Sequence, residues 1–241
     1  MSSIPLGAMR FNSDSQKLEY WMGSAWMQIQ TFSPTLDGGV RGTFHGGETP
    51  TRVDTIDFIT ISTQGNAIDF GNISTGVLRA SSSCSSNTRS IICSGEDGST
   101  PRPVHLQFIT FASTGDTTDF GDLTVGTRGS MSLSNQTRGI TANGSTPSYP
   151  GTVDFYTIAT TGNAQDFGDQ VTARAASGVA ASPTRGLFAG GFVAPGSANY
   201  VNTCEKITIT TTGNATDWGD VFEGSNRAYN SGISDSHGGL S

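Results

Sequence analysis

Four Asp-aromatic-Gly triplets are the first candidates for chemistry: Asp69-Phe70-Gly71, Asp119-Phe120-Gly121, Asp166-Phe167-Gly168 and Asp217-Trp218-Gly219. A single Asp-Phe-Gly holds magnesium in protein kinases, but only beside a Gly-rich loop, a strand lysine and a His-Arg-Asp segment. None of these accompanies the triplets, and their fourfold recurrence points to a turn that carries a core aromatic. Asn66, Asn163 and Asn214 lie three residues before the Asp in three copies, so the pair could offer oxygens to a cation. Neither EF-hand spacing nor a Gly-Gly-x-Gly-x-Asp repeat is present. Capping of a turn by Asx side chains accounts for the pair, and no metal site is expected.

Serine is abundant, yet a nucleophilic serine needs a positioned histidine. The histidines are His45, His105 and His237, and no Gly-x-Ser-x-Gly surrounds any serine. His45 occupies a position filled by Cys93, Ala142 and Ala189 in related segments, which marks a packing site. Two carboxylates could make a glycosidase, but carboxylates at equivalent positions of a repeat are spread apart. Cys84, Cys93 and Cys204 form no zinc-type Cys-x-x-Cys pair. Cys84 and Cys93 could face each other across one hairpin, and the three read as buried, reduced thiols of a chain that folds in a cytoplasm. The net charge is −7 and no Lys/Arg cluster exists, so a nucleic-acid partner is not expected. These residues point to no catalytic site and no cofactor, and the chain reads as a non-enzyme.

The elements that position these residues follow from composition. Of 241 residues, 34% are hydrophobic and 14% charged, with 32 Gly and 62 Ser plus Thr. Lys occurs only at Lys17 and Lys206. Scarce helix formers and abundant Thr, Ser, Gly, Phe and Ile favour short strands and turns, so the fold class is all-β. No run of 18 apolar residues occurs, so no membrane insertion is expected, and Met1–Arg10 has no secretory-signal pattern.

Internal repetition organises the chain. TIDFITISTQGNAIDFG, HLQFITFASTGDTTDFG, TVDFYTIATTGNAQDFG and TCEKITITTTGNATDWG align, with their closing Asp residues spaced by 50, 47 and 51 residues. A polar position lies 12 residues before each: Asp57, Gln107, Asp154 and Glu205. A second block runs from Arg41, Arg89, Arg138 and Arg185 to a Gly six residues later, and a third begins at Arg79, Arg128, Arg174 and Arg227. Apolar alternation and Thr-Gly-Asn turns make each unit four antiparallel strands. The two arginine registers are expected to pair with the acidic positions or with turn carbonyls. The four triplet aromatics are expected to be buried between units.

The order of blocks resembles the kelch repeat over about residues 38–236: an Arg before an inner strand, a strand ending in Gly-Gly, a strand with an acidic residue, then an aromatic, here Phe70, Phe120, Phe167 and Trp218. The usual Tyr before Gly-Gly is replaced. The resemblance implies a four-bladed kelch-like β-propeller over 35–241. Its first unit lacks an inner strand, and a lone one around Arg227–Ser234 is expected to close the ring with the first unit. Two chains combining into a larger ring is the alternative.

Residues 1–34 stand outside the repeat and read as a small β-meander, too short to fold alone. Its Tyr20, Trp21 and Trp26 are candidate attachment residues. Gly7, Met9, Arg10, Phe11, Asn12, Lys17, Leu18, Glu19, Tyr20, Gly23, Ser24, Ala25 and Trp26 resemble a connector near the attachment ends of bacteriophage tail-fibre and appendage proteins. The TTGNATDWGD type of repeat is similar to repeats in virion structural proteins of marine cyanobacterial myophages. Together these resemblances imply a phage virion structural protein of a tail fibre or appendage, made in the host bacterial cytoplasm and located in the virion. Its implied partners are other virion proteins, a host-surface glycan or protein, and a second copy of itself. An adhesin module, or a polysaccharide-degrading enzyme, is the alternative. Loop lengths vary on one face of each unit only. The loop Phe192–Asn202, with Phe192 and Tyr200, is therefore the candidate outward contact, on the face opposite the meander.

Overall fold

The computed structural model describes residues 4–12, 17–28, 41–76, 78–145, 148–193, 199–221 and 225–234. The described residues form 18 strands in five antiparallel sheets, with no α-helix. The chain divides into two compact units, Met1–Leu36 and Asp37–Ser241.

The first unit is a meander of β1 (Met9–Asn12), β2 (Lys17–Trp21) and β3 (Trp26–Gln28). The Met22 N–H donates to the Ala25 carbonyl at 3.0 Å across a turn whose Gly23 has φ +95°. That left-handed conformation is open to glycine at little steric cost. Strand alternation sorts the side chains by face. Met9, Phe11, Leu18, Tyr20 and Met27 share one face, and Arg10, Glu19, Trp21 and Trp26 the other.

The second unit holds four sheets in chain order. They are β4 (Arg41–His45), β5 (Thr55–Thr60) and β6 (Ile68–Asn72); β7 (Ser82–Ser85), β8 (Arg89–Cys93), β9 (His105–Thr110) and β10 (Thr118–Asp122); β11 (Met131–Ser134), β12 (Arg138–Ala142), β13 (Thr152–Thr157) and β14 (Gln165–Asp169); and β15 (Gly178–Ala181), β16 (Arg185–Ala189), β17 (Thr203–Thr208) and β18 (Thr216–Asp220). Each last strand pairs with a register shift at its triplet aromatic. The bulge re-aims that ring out of the strict alternation. Phe70, Phe120 and Phe167 are thereby buried, each in an apolar cluster shared with the following sheet. The glycine after the ring is required by close approach: a Cβ at Gly71 would strike the Gly115 carbonyl of the next sheet's turn.

Successive sheets are joined by a repeated hydrogen-bond set. Gly115, Gly162 and Gly213 N–H donate to the carbonyls of Phe70, Phe120 and Phe167 at 2.7, 2.7 and 2.8 Å. The first arginine register adds a lock. Arg41, Arg89 and Arg138 each lie over their own sheet's Phe58, Phe108 or Phe155 and donate to the Phe111, Ala159 or Ile209 carbonyl of the next sheet.

The structure revises two expectations. Trp218 is not buried like its counterparts: it is 49% exposed, because among the described residues no following sheet packs against it. The segment Arg227–Ser234 forms no strand with β4; Tyr229 N–H donates to the Ala176 carbonyl at 2.9 Å, and Ser234 Oγ to the Ala181 carbonyl at 2.6 Å, so it runs beside β15. Among the described residues β4 has β5 on one side and no strand on the other.

Candidate functional site

The third block converges on one place because its backbone turns sharply there. Ala80, Gly129, Ala176 and Tyr229 have φ of 51°, 61°, 54° and 56°. They also form a ladder: Gly129 N–H donates to Ala80 O, Ala176 N–H to Gly129 O and Tyr229 N–H to Ala176 O. Aligned on this conformation, Arg79 and Arg128 stand one residue before the turn, whereas Arg174 and Arg227 stand two before it. The third-block arginines are therefore two registers and not one. Arg79 and Arg128 reach Glu96 and Arg174 reaches Glu205, whereas Arg227, in the register of Arg174, is exposed.

Arg174 takes the interior. It is fully buried and ion-paired with Glu205, whose carboxylate also accepts from the N–H groups of Val171 and Thr172 at 2.9 Å each. The equivalent Asp154 accepts from Thr124 N–H and Oγ, and Gln107 from Ser74 Oγ. The polar register thus ties each long strand to the turn leaving the preceding sheet. Burial pushes the Asp154 pKa up, against the hydrogen bonds from Thr124 and Asn143. Asp57, with no earlier sheet in the second unit among the described residues, is exposed.

Arg79 and Arg128 take the mouth. Together with Glu96, Phe192 and Tyr229 they line a cavity of about 350 Å³. Glu96 is contacted by Arg128 at 2.9 Å, Arg102 at 3.2 Å, Arg52 at 3.3 Å and Arg79 at 3.4 Å. Burial raises its pKa, but hydrogen bonds from Arg128 and Arg79 and the charge of Arg102 override this and lower it to about 2. A carboxylate so held is ionised at neutral pH and cannot act as a general acid. Arg79 also pairs with Glu48.

Beside the arginines, three aromatic rings gather around Phe192. Tyr229 is 5.5 Å away, Tyr149 5.7 Å and Tyr200 6.5 Å, centroid to centroid. Phe192 and Tyr200 are bridged by backbone pairing, so the two expected contact residues are adjacent; residues 194–198 of their loop lie outside the described residues. Tyr149 and Tyr229 were not singled out from sequence. Tyr229 carried a signal, the replacement of a small residue by tyrosine at a repeat position, and Tyr149 carried none. Aromatic faces beside guanidinium donors can stack on a sugar ring and bind its hydroxyl or carboxylate oxygens.

The meander candidates separate. The Trp21 and Trp26 rings are 5.5 Å apart, with the Arg10 guanidinium 4.2 Å above Trp26 and paired to Glu19 at 2.9 Å. Hydrogen bonds from Asn12 and Arg10 hold the buried Glu19 below the usual carboxylate range. Tyr20 is on the opposite face, with exposed Met9, Phe11, Leu18 and Met27. Those four neighbours were legible as one face from their alternation.

Two of the three Asn candidates have partners in the preceding sheet. Asn163 and Asn214 side chains accept from the Asp122 and Asp169 N–H groups of the preceding sheet at 3.1 and 3.0 Å. Cys84, Cys93 and Cys204 are free and buried, the first two each 3.2 Å from the Tyr156 hydroxyl. Burial, with the neighbouring Cys93, pushes the Cys84 thiol far up. Burial pushes the His45 pKa down.

No family model matches the chain, and no curated protein matches it. Its fold is similar to the solved structure of YjhT, with a TM-score of 0.64 and 8% identity, over 78% of this chain and 65% of that one. The chain thus spans about two-thirds of the length of that structure, and identity this low bears on the fold alone.

Proposed function

We propose that the chain is a non-enzymatic phage virion structural protein, a tail-fibre, appendage or surface component that attaches by its N-terminal meander and displays a kelch-like β-propeller to which each chain supplies four blades. The gap at the β4 edge is filled in this reading by a strand equivalent to Arg227–Ser234. The repeated blade-like sheets and the likeness to YjhT, a kelch-type propeller, support the propeller part. One observation carries the attachment part. A meander too small to stand alone turns Met9, Phe11, Leu18, Tyr20 and Met27 outward on one face, with Phe11 66% exposed. A photo-crosslinker at Phe11 or Met27 is expected to capture another virion protein in assembled particles. Particles that assemble normally and yield no such adduct would defeat attachment by this face.

The arginine and aromatic mouth favours a second role, recognition of a host-surface glycan. Titration with acidic host-envelope polysaccharide is expected to give binding that Arg128→Ala and Tyr229→Ala each weaken at least tenfold. No reducing sugar is expected to be released, and release would instead point to an enzyme.

A further inference from the structure

Three interfaces of one kind hold the four sheets of residues 37–241 together, and each leaves an imprint of what its two sides require. The leading side of a sheet offers an N–H in the Thr-Gly-Asn-type turn, an Asx side chain beside it, and two apolar residues of the long strand. The trailing side offers the carbonyl of the triplet aromatic, an N–H three residues further on from the triplet's Asp, an arginine seeking a carbonyl, and an apolar slot. At the third interface, for example, Ile207 and Ile209 fill a slot made by Leu133, Ile140 and Phe167. Gly213 N–H donates to Phe167 O, Asp169 N–H donates to Asn214 Oδ1 at 3.0 Å, and Arg138 donates to Ile209 O at 2.8 Å.

Both kinds of side also stand open. On the first sheet, Phe44 is 59% and Ile61 69% exposed, although the residues equivalent to Ile61 in the third and fourth sheets, Ile158 and Ile209, are buried. On the fourth sheet, Ala180, Leu187, Arg185 and Trp218 line an open, mostly apolar cavity of about 280 Å³. It is the positional equivalent of the Leu133, Ile140, Arg138 and Phe167 slot. Arg185 lies over Trp218 at 5.7 Å, where its counterparts also reach a carbonyl of the next sheet. Among the described residues no hydrogen bond joins Trp218 or Asp220 to the Gly65-Asn66-Ala67 turn. Among the described residues no backbone hydrogen bond joins the first sheet to the fourth.

We propose that these two faces mate head to tail between copies of this chain. Ile59 and Ile61 of the second copy fill the Leu187 and Trp218 slot. Gly65 N–H donates to the Trp218 carbonyl, the Asn66 side chain accepts from Asp220 N–H, and Arg185 reaches the Ile61 carbonyl. The segment 229–234 runs against the second copy's β4. By the register of the other inner strands, Ser231 lies opposite His45, as Ser82 lies opposite Cys93 and Gly178 opposite Ala189. Such a heterologous contact makes a closed ring or an open filament, according to whether the step closes. The second copy is chosen because its first sheet carries the turn, the Asx side chain and the paired isoleucines that the imprint requires. The proposal rests on reading the sheets as successive blades of one array.

Light scattering on the full chain is expected to give a dimer or a larger species instead of the 25.1 kDa monomer. Trp218→Asp and Ile61→Asp, both at exposed positions, are each expected to give folded monomers with unchanged circular dichroism. Mixing the two is expected to restore a one-to-one dimer, since each retains the face the other has lost. Oxidation of an Asn66→Cys, Asp220→Cys double variant is expected to give an interchain disulfide. A wild-type monomer, or no recovery on mixing, would overturn the proposal. An intrachain disulfide in a monomer would overturn it in favour of closure by the chain's own ends and leave the blade reading standing. Monomers with neither crosslink would overturn both.

Discussion

Arg174 and Glu205 form an ion pair withdrawn from water, with side chains 0% and 2% exposed. The pair is held by further bonds at both ends: Arg174 also donates to the Gly190 and Thr203 carbonyls at 3.0 and 2.9 Å, and Glu205 accepts two backbone N–H groups. It ties the linker leaving the third sheet to the long strand of the fourth.

Removing one partner leaves the other buried and uncompensated. Glu205→Gln and Arg174→Met are each expected to destabilise the chain by roughly 3–5 kcal/mol. The double variant Arg174→Met/Glu205→Leu should cost less than the sum of the singles. Urea unfolding in a double-mutant cycle measures this coupling.

The triplet aromatics should not behave alike. Phe70→Ala, Phe120→Ala and Phe167→Ala are each expected to cost roughly 3–5 kcal/mol, as buried rings do. Trp218→Ala, tested in the Ile61→Asp background where the chain is dissociated, should cost less than about 1 kcal/mol. Equal losses at all four would mean that Trp218 is buried within the chain.

The arginine lock should show the same asymmetry. Arg89→Ala and Arg138→Ala each remove a charged donor to a carbonyl and a stacked cation, and are expected to lower stability by about 1–3 kcal/mol. Arg185→Ala, without that carbonyl in the chain, should change the dissociated protein by less than about 0.5 kcal/mol. Thermal melts of the three variants suffice.

Glu96 carries a pH dependence of predictable sign. Its folded pKa of about 2 lies below the ordinary 4.5, so the unfolded chain binds the proton more tightly. The stabilisation is therefore complete above pH 4.5 and is lost as pH falls towards 2, amounting to no more than about 3 kcal/mol. Glu96→Gln is expected to flatten the stability profile in this window. An unchanged slope would show that the four arginines do not act through this carboxylate.

What the sequence by itself determined is local or repeated. Alternation in Phe58–Ser62, the Thr-Gly-Asn turns and the aligned triplets specify strands and hairpins, because each depends on neighbours within one hairpin. The sheets at β5–β6, β9–β10, β13–β14 and β17–β18 accordingly lie where the repeats put them. Only the tertiary structure decided which equivalent residues are equivalent in environment. Arg174 and Arg79 look alike in a string of letters, but one extra residue before a left-handed turn sends one to Glu205 and the other to Glu96. Phe167 and Trp218 share a motif and differ in burial, since burial belongs to the sheet packed against the ring and not to the strand that carries it. Tyr149, Phe192 and Tyr229 come from separate repeats and meet because successive sheets stack their turns in one place, a juxtaposition that no spacing along the chain encodes.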